Sequence, residues 1–514
     1  MFKGHPKGLI PASLANMGER FGFYTMMAIL VLFLQAKFGL SGTDAGYIYS
    51  GFYFSIYILA LVGGVIADRI KNYKGTILAG LILMAVGYLI MAIPTPTPVS
   101  NVPLFLSISI GGLFVIAFGN GLFKGNLQAL VGQMYDNEKY GAKRDSGFSL
   151  FYAFINVGAI FAPFTAIGVR NWWLGKFNFK YDGSLPEYCH SFLSGSLTPE
   201  SEANFRIAAE TASGTAITDL TAFSNEYLNV FNEGFHYAFG VAIIAMAIST
   251  VVFLVNKKNF PNPKGIVTNE KGEITEEIKM EAKEVAQRMY ALLAVFGVVI
   301  FFWFSFHQNG LTLTMFARDY TDLSLLVFTI WGITFKGAEV FQAMNPIFVV
   351  GLTPILVGIF GWLRTRNMEP STPKKIAIGM GIAMSAFVLM LFGSFGLPMF
   401  TEISTSHGGT PLTDAARVTP FLLLGTYFIL TVAELFISPM GISFVSKVAP
   451  PQYQGLMQGG WLGATALGNG LLFIGAVLYE TIPIWMTWGI FVTATAISMF
   501  TIMFMIKWLE RVAK

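Results

Sequence analysis

The feature that most constrains this chain is a repetition. Stretches of about 20 predominantly apolar residues recur from one end to the other, each long enough to cross a hydrocarbon layer of about 30 Å as a helix. They fall near residues 13–37, 46–68, 75–93, 103–132, 147–169, 236–255, 289–316, 338–363, 375–397, 420–445, 456–479 and 484–508. A backbone in lipid must satisfy its own hydrogen bonds, so the repetition predicts an all-α membrane protein of twelve helices. Composition agrees: 54% of residues are hydrophobic and 12% charged, about half the charged share of an ordinary soluble domain. The 54 glycines suit helices that pack closely in a membrane. Lys3 and Lys7 precede the first stretch, but it contains Glu19 and Arg20 and runs on without a small-residue cleavage site. It reads as a retained helix rather than a removed signal peptide.

Several function classes are excluded early. Cys189 is the only cysteine and the five histidines are dispersed, so no disulfide, CxxC pair, cysteine-based zinc site or other cofactor is implied. The net charge of +4 is small and scattered, which argues against nucleic-acid binding. No nucleophile and base motif or phosphate-binding loop points to an enzyme. The glycine-rich run Gly459-Gly460-Trp461-Leu462-Gly463 lies inside an apolar helix, where close packing explains it.

The stretches form two groups of six, separated by a polar segment at 256–288. This predicts an N-terminal bundle at 1–255, a linker on the membrane surface at 256–288 and a C-terminal bundle at 289–514. If both termini face the cytoplasm, eight basic residues (Lys37, Arg170, Lys176, Lys180, Arg206, Arg318, Lys336 and Arg417) fall outside and Arg20 and Lys124 fall within spans; the remaining 23 of 33 lie inside. The positive-inside rule therefore predicts cytoplasmic termini and linker, in the cytoplasmic (inner) membrane. The connection at 170–235 is then external, and the sequence leaves open whether it is a folded cap or a mobile loop.

Charges deep in a span cost roughly 2.5 to 3.5 kcal/mol each on insertion scales, and each is a functional candidate by default. Four stand out: Glu19, Arg20, Lys124 and Glu434, two of each sign. His307 is the only histidine well inside a span. Asn16, Arg20, Tyr24 and Met27 are spaced by four, four and three, which puts them on one helix face. Such a stripe suits a cavity wall; the alternative is packing against a neighbour with Arg20 paired to Glu19.

Six plus six helices around a central linker resemble the plan of the major facilitator superfamily, whose halves rock about a midplane site. Gly63-Gly64-Val65-Ile66-Ala67-Asp68-Arg69, with Lys74 beyond it, resembles that superfamily's loop motif, in which the acid and bases latch helices together. Further motifs narrow the resemblance to the proton-coupled oligopeptide transporters. The first helix, Asn16-Met17-Gly18-Glu19-Arg20-Phe21-Gly22-Phe23-Tyr24, is similar to that family's E-x-x-E-R-F-x-Y-Y signature. Phe123-Lys124-Gly125-Asn126 is similar to F-K-P-N, and the run from Phe151 and Tyr152 through Asn156 and Gly158 to F-Y-x-x-I-N-x-G. Phe341-Gln342-Ala343-Met344-Asn345-Pro346 resembles F-Q-x-x-N-P, and Glu434-Leu435-Phe436-Ile437-Ser438-Pro439-Met440-Gly441 resembles E-L-x-x-S-P-x-G. The run from Gly455 through Trp461 to Asn469 resembles the eleventh-helix motif.

The resemblance implies proton-driven import of di- and tripeptides across the bilayer; a monomer is expected. It places the peptide's amino end on Glu434 and Asn345 and its carboxyl end towards Lys124, with Lys124 and Glu434 as a switching pair. It places Tyr24, Tyr57, Asn156 and Trp461 in the pocket, and gating on Glu19, Arg20, Asp68 and Arg69. Three departures stand out. Asn16 replaces the first Glu of the signature, Met27 stands where a second Arg is usual, and His307-Gln308-Asn309-Gly310 replaces an E-Q-Q-G context. Arg with ionised Glu sums to zero charge and gains one on protonation, and Met with neutral His does the same. His307 is therefore expected to be the proton-responsive group of the seventh helix and, with Lys124, to share the peptide carboxylate; a neutral hydrogen-bonding His is the alternative. Other readings are a same-fold carrier of a small amine, amino-acid conjugate or organic anion with altered coupling, or a non-transporting sensor.

Overall fold

The apolar stretches become helices whose ends are set by residues that cap them. Gly39, at φ 65°, closes the first helix, its N–H bonded to the Gln35 carbonyl. The side chains of Asn72, Asn101 and Asp219 accept hydrogen bonds from first-turn N–H groups of the third, fourth and sixth, satisfying donors a helix start leaves open. The structure, a computed structural model, describes residues 4–70, 72–135, 138–140, 144–261, 282–450 and 453–512. Among them, twelve helices are long and apolar enough to span a membrane. In order these are Leu9–Phe38, Gly42–Ala67, Tyr73–Ala92, Val102–Gln133, Gly147–Lys176 and Leu220–Val255, then Ala282–Asp319, Ala338–Thr365, Thr372–Gly393, Pro420–Val445, Leu456–Thr481 and Ile484–Val512. Most of the predicted 256–288 linker, from 262 to 281, lies outside the described residues.

Helices of each half pack mainly on one another. The first packs on the fifth and sixth, the fourth on the second and third, the ninth on the tenth and twelfth, and the seventh on the eleventh and twelfth. Glycine permits the closest crossings: a Cβ on Gly63 would lie 2.1 Å from the Gly121 carbonyl oxygen, so the second and fourth helices meet backbone to backbone there. The halves meet where the second helix contacts the eleventh and the fifth contacts the eighth.

The connection between the fifth and sixth helices is a folded cap, shorter than the 170–235 segment expected. The fifth helix runs on to Lys176, and the sixth begins at Leu220 rather than near 236. Hydropathy missed the start because Ser224, Asn225, Asn229, Asn232 and Glu233 interrupt the apolar run. They remain helical: Ser224 Oγ bonds Leu220 O at 2.7 Å, and Asn232 Nδ2 bonds Leu228 O at 2.8 Å and Ala36 O of the first helix at 3.1 Å. Two short helices, Leu185–Leu193 and Pro199–Ser213, form the cap. Tyr188 stacks on Phe205 at 5.5 Å, and Cys189 is buried.

Two spans predicted as continuous are broken. The seventh is helical to Phe306, passes through a 3-10 turn at His307–Gly310 and resumes at Thr312. The eleventh breaks between Gly470 and Phe473. Gln308 joins the breaks, its Nε2 donating to Phe304 O and Leu472 O, both at 3.2 Å.

Candidate functional site

On the N-terminal half, the first helix presents a buried ion pair. Arg20 donates from Nε to Glu19 Oε2 at 2.6 Å and from Nη2 to Oε1 at 2.7 Å, and Asn120 Nδ2 of the fourth helix donates to the same carboxylate at 2.6 Å. Arg20 also lies 4.7 Å from the Phe23 ring centre. The stripe expected to line a cavity is thus mostly packed. Asn16, Arg20 and Met27 are buried, and only Tyr24 is partly exposed. The physical reason is the Glu19 pairing, which turns the guanidinium into the bundle.

Lys124 stands apart. It makes no ion pair with a described residue, and its ammonium sits 4.6 Å from the Tyr57 ring centre, a cation–π contact suited to a desolvated amine. Tyr57 is partly exposed, and Tyr152, one turn before Asn156, is half exposed. Asn156 is buried and donates to the Tyr152 carbonyl at 3.2 Å.

Across the seam, Glu434 accepts a 2.8 Å hydrogen bond from Asn345 Nδ2, which also donates to Thr431 Oγ1 at 3.0 Å. Both Glu434 and Asn345 are partly exposed in mid-span. The Glu434 carboxylate is within electrostatic reach of Tyr24, Tyr57 and Tyr152 on the opposite half, so one centre brings them together. The expected Lys124–Glu434 salt bridge is not formed in this conformation; a neutral amide holds the acid and an aromatic ring holds the base. Trp461 is buried at 4% exposure over Gly441, two turns along the tenth helix from Glu434, where any Cβ would lie 1.8 Å from the indole.

His307 sits at the helix break with 6% exposure. Its Nδ1 lies 2.5 Å from Asn469 Oδ1 at the other break, so that nitrogen is the donor. The ring stacks on Trp303 at 4.8 Å and faces Tyr53 of the other half at 4.7 Å. Enclosure by rings argues against its sharing a peptide carboxylate with Lys124 in this conformation. Of the expected latch, Arg69 is exposed and the Asp68 side chain lies outside the described residues.

Sequence reasoning missed how the end bearing the cap is closed. Arg170 of the fifth helix pairs with Glu339 of the eighth, both fully buried. The guanidinium also donates to Lys336 O at 3.1 Å and lies 3.9 Å from the Tyr181 ring centre. Glu480 of the eleventh helix reaches the start of the second, accepting from Gly42 N–H at 2.5 Å and from Thr43 N–H at 3.0 Å. A carboxylate there meets the positive end of a helix dipole. Arg318 donates to Gln35 at 2.6 Å. The cap itself crosses the seam: Glu187 accepts from Ser404 Oγ and from Ser406 N–H at 3.2 Å, and Ser201 Oγ donates to Gly409 O at 3.0 Å. The available signal was an Arg in the last turns of one span and a Glu in the first turn of another at the same membrane face.

Comparison with known proteins agrees with this architecture. The model for the POT family matches residues 74–275 and 264–487. A peptide transporter of Yersinia enterocolitica is 28% identical over 495 residues, covering 91% of this chain and 87% of that protein. A di-/tripeptide transporter of Lactococcus lactis is 26% identical over 508 residues, covering 91% and 89%. Among solved structures, a peptide transporter POT in complex with sulfate aligns with TM-score 0.72 at 23% identity, covering 100% of this chain and 96% of that one. A POT family transporter in complex with 5-aminolevulinic acid aligns with TM-score 0.71 at 19% identity, covering 100% and 98%. The family match and these alignments together give the fold, that of the major facilitator superfamily. With twelve apolar helices and a family model that matches most of its length, this chain is an integral membrane protein that belongs to the POT family.

Proposed function

We propose that the protein is a proton-coupled symporter that imports di- and tripeptides by alternating access. One observation carries the reading: an acid with a neutral partner, Glu434 with Asn345, belongs to one half, and a base with a neutral partner, Lys124 over Tyr57, belongs to the other. A zwitterionic peptide needs one pole of each sign and walls that tolerate varied side chains. Glu434 and Asn345 take the amino end and Lys124 the carboxyl end, with Tyr24, Tyr57 and Tyr152 as walls. Asn156 holds the Tyr152 segment and Trp461 backs the tenth helix. The Lys124–Glu434 bridge forms when no peptide lies between the poles and the halves close.

Glu19 and Arg20, with Asp68 and Arg69, belong to the gating of the N-terminal half. His307, bonded to Asn469 and stacked between rings of both halves, is the proton-responsive group of the seventh helix. The moving units are residues 1–255 and 289–514. The end bearing the cap faces outward and is closed in this conformation; the termini are cytoplasmic, and the protein acts as a monomer in the cytoplasmic membrane. Competition in reconstituted vesicles tests the pole assignment. Free di- and tripeptides compete with a labelled dipeptide, whereas N-acetylated peptides compete at least about tenfold more weakly, roughly 1.4 kcal/mol. Equal competition by the two sets removes Glu434 and Asn345 from the amino-end role.

A further inference from the structure

Between the seventh and eighth spans the chain makes a two-stranded antiparallel hairpin, Phe328–Ile330 with Ile333–Phe335, in which Phe328 pairs with Phe335 and Ile330 with Ile333. Its turn places Trp331 at φ 50° and Gly332 at φ 76°. Left-handed backbone at both central residues marks a turn that favours Asn or Asp before Gly, and a bulky residue there is strained. Trp331 nevertheless occupies it, with 96% of its surface exposed. Neither packing nor turn preference accounts for a tryptophan at that tip. Its neighbours are apolar too: Leu325, Phe328 and Ile330 are 66%, 39% and 46% exposed, and no charged residue occurs between Asp322 and Lys336.

The hairpin's position decides what covers it. The Phe328 ring lies 6.2 Å from Phe164 of the fifth span, the Phe335 ring fills the space a Cβ on Gly168 would need, and Asn171 Nδ2 donates to Thr334 O at 2.7 Å. These contacts lie five to twelve residues before the helix end at Lys176, roughly 8–18 Å back along the axis. The same helix exposes Phe161 (60%) and Trp172 (43%), with the Lys176 ammonium 5.2 Å from the Trp172 ring centre. A phenylalanine, then a tryptophan, then a lysine is the order met on leaving the hydrocarbon for the headgroups. The hairpin is therefore continuous with the lipid-facing flank of the fifth span, just inside its headgroup edge.

We propose that the 328–335 hairpin is an interfacial membrane anchor, with Trp331 seated in the headgroup region of the leaflet at the cap end and Phe328 and Ile330 against the upper acyl chains. A two-stranded hairpin has unpaired N–H and C=O groups on both edges, which keeps it out of the deep hydrocarbon. Tryptophan, with an apolar body and one N–H donor, suits the boundary. Through Gly337 the hairpin leads directly into Glu339, so the anchor holds at the membrane edge the segment that carries one half of the buried Arg170–Glu339 pair.

The test uses the full-length protein in vesicles of phosphatidylcholine and phosphatidylglycerol. Because Cys189 is the only cysteine and is buried, Cys189→Ala gives a background for single labels. An environment-sensitive fluorophore is placed at Trp331→Cys, at Phe161→Cys as the lipid-facing control and at Thr211→Cys on the cap as the exposed control. The 331 label is expected to emit to the blue of the 211 label, to be quenched by brominated-chain lipids at least half as strongly as the 161 label, and to resist aqueous iodide several-fold better than the 211 label. If Cys189→Ala does not fold, loss of the bromolipid-quenched tryptophan component in Trp331→Phe reads the same contact. Emission and iodide quenching equal to the 211 label overturn the proposal. So does protection from iodide without bromolipid quenching, which would mean that protein, not lipid, covers the tip.

Discussion

A carboxylate in mid-membrane must be held by something, and Glu19 and Glu434 are held in different ways. Glu19 takes Nε and Nη2 of Arg20 and an amide of Asn120, so its charge is cancelled within the first helix. Glu434 has one amide from Asn345 and part of its surface free. A charge held by a neutral donor has attraction to spare for an incoming ammonium. Glu434→Gln is therefore expected to weaken peptides with a free amine about tenfold or more while changing N-acetylated ones little, read by competition in vesicles; equal loss for both contradicts it. For His307→Gln, counterflow exchange is expected to survive while gradient-driven accumulation is lost. Wild-type accumulation in that variant would leave His307 as a structural hydrogen-bond donor to Asn469. At this scale Glu434, Lys124 and His307 stood out in the sequence because ionisable groups in apolar runs are conspicuous, and Asn345 came only from the resemblance of its motif. The sequence did not show that Arg20 is closed on Glu19 or that Trp461 is packed over Gly441, since both depend on side-chain rotation rather than position along a helix.

Polar residues do not interrupt a helix when carbonyls of their own or a neighbouring helix satisfy them. The sixth helix absorbs Ser224 and Asn232 in this way, and so hydropathy began it sixteen residues late. The breaks in the seventh and eleventh helices are the reverse case, in which a short polar turn inside an otherwise apolar span marks a change of backbone that Gln308 and Asn469 stabilise from across the gap. Pairing between distant elements is likewise invisible to hydropathy. Removing one partner of a buried ion pair costs roughly 3–5 kcal/mol, because the other charge is left bare. Arg170→Ala and Glu339→Ala should each lower the unfolding temperature in detergent markedly, and the charge-swapped double variant should recover part of the loss. Additive loss in the double variant would show that the two residues act independently. On the opposite face, Glu369 in the connection between the eighth and ninth spans accepts from Arg364 at 2.6 and 3.0 Å and from Lys375 at 2.5 Å. These bonds, Arg364 first, hold its carboxyl well below the usual range, down to about 2. A depressed acid stabilises the fold fully above its unfolded value of about 4.3, and that stabilisation is lost as pH falls through about 2. Stability of Glu369→Gln, followed by thermal unfolding, should therefore fall less steeply than that of the wild type between those two values; parallel curves would mean the bonds are absent in solution.

At the scale of the molecule, two bundles are joined at one end by Arg170–Glu339, Glu480 on the second helix and the cap's bonds to residues 404–409, and the charged centre lies between them. The twelve-helix plan was legible because span length and hydropathy are properties of whole segments and survive errors of a few residues. The cap was not, because amphipathic segments of nine and fifteen residues fold only against a neighbour, and a single sequence does not reveal which. Import needs that closed end to open and the centre to take up a peptide together with a proton. The energy is sufficient: each positive charge moving inward gains about 2.3 kcal/mol per 100 mV, about a fifty-fold accumulation before any pH gradient is counted. The most direct measurement of the account is accumulation of a labelled dipeptide by purified protein in proteoliposomes with an imposed inward proton gradient. Uptake above equilibrium that collapses when a protonophore is added is the predicted result; uptake that stops at equilibrium with or without the gradient would contradict proton-coupled peptide import by this protein.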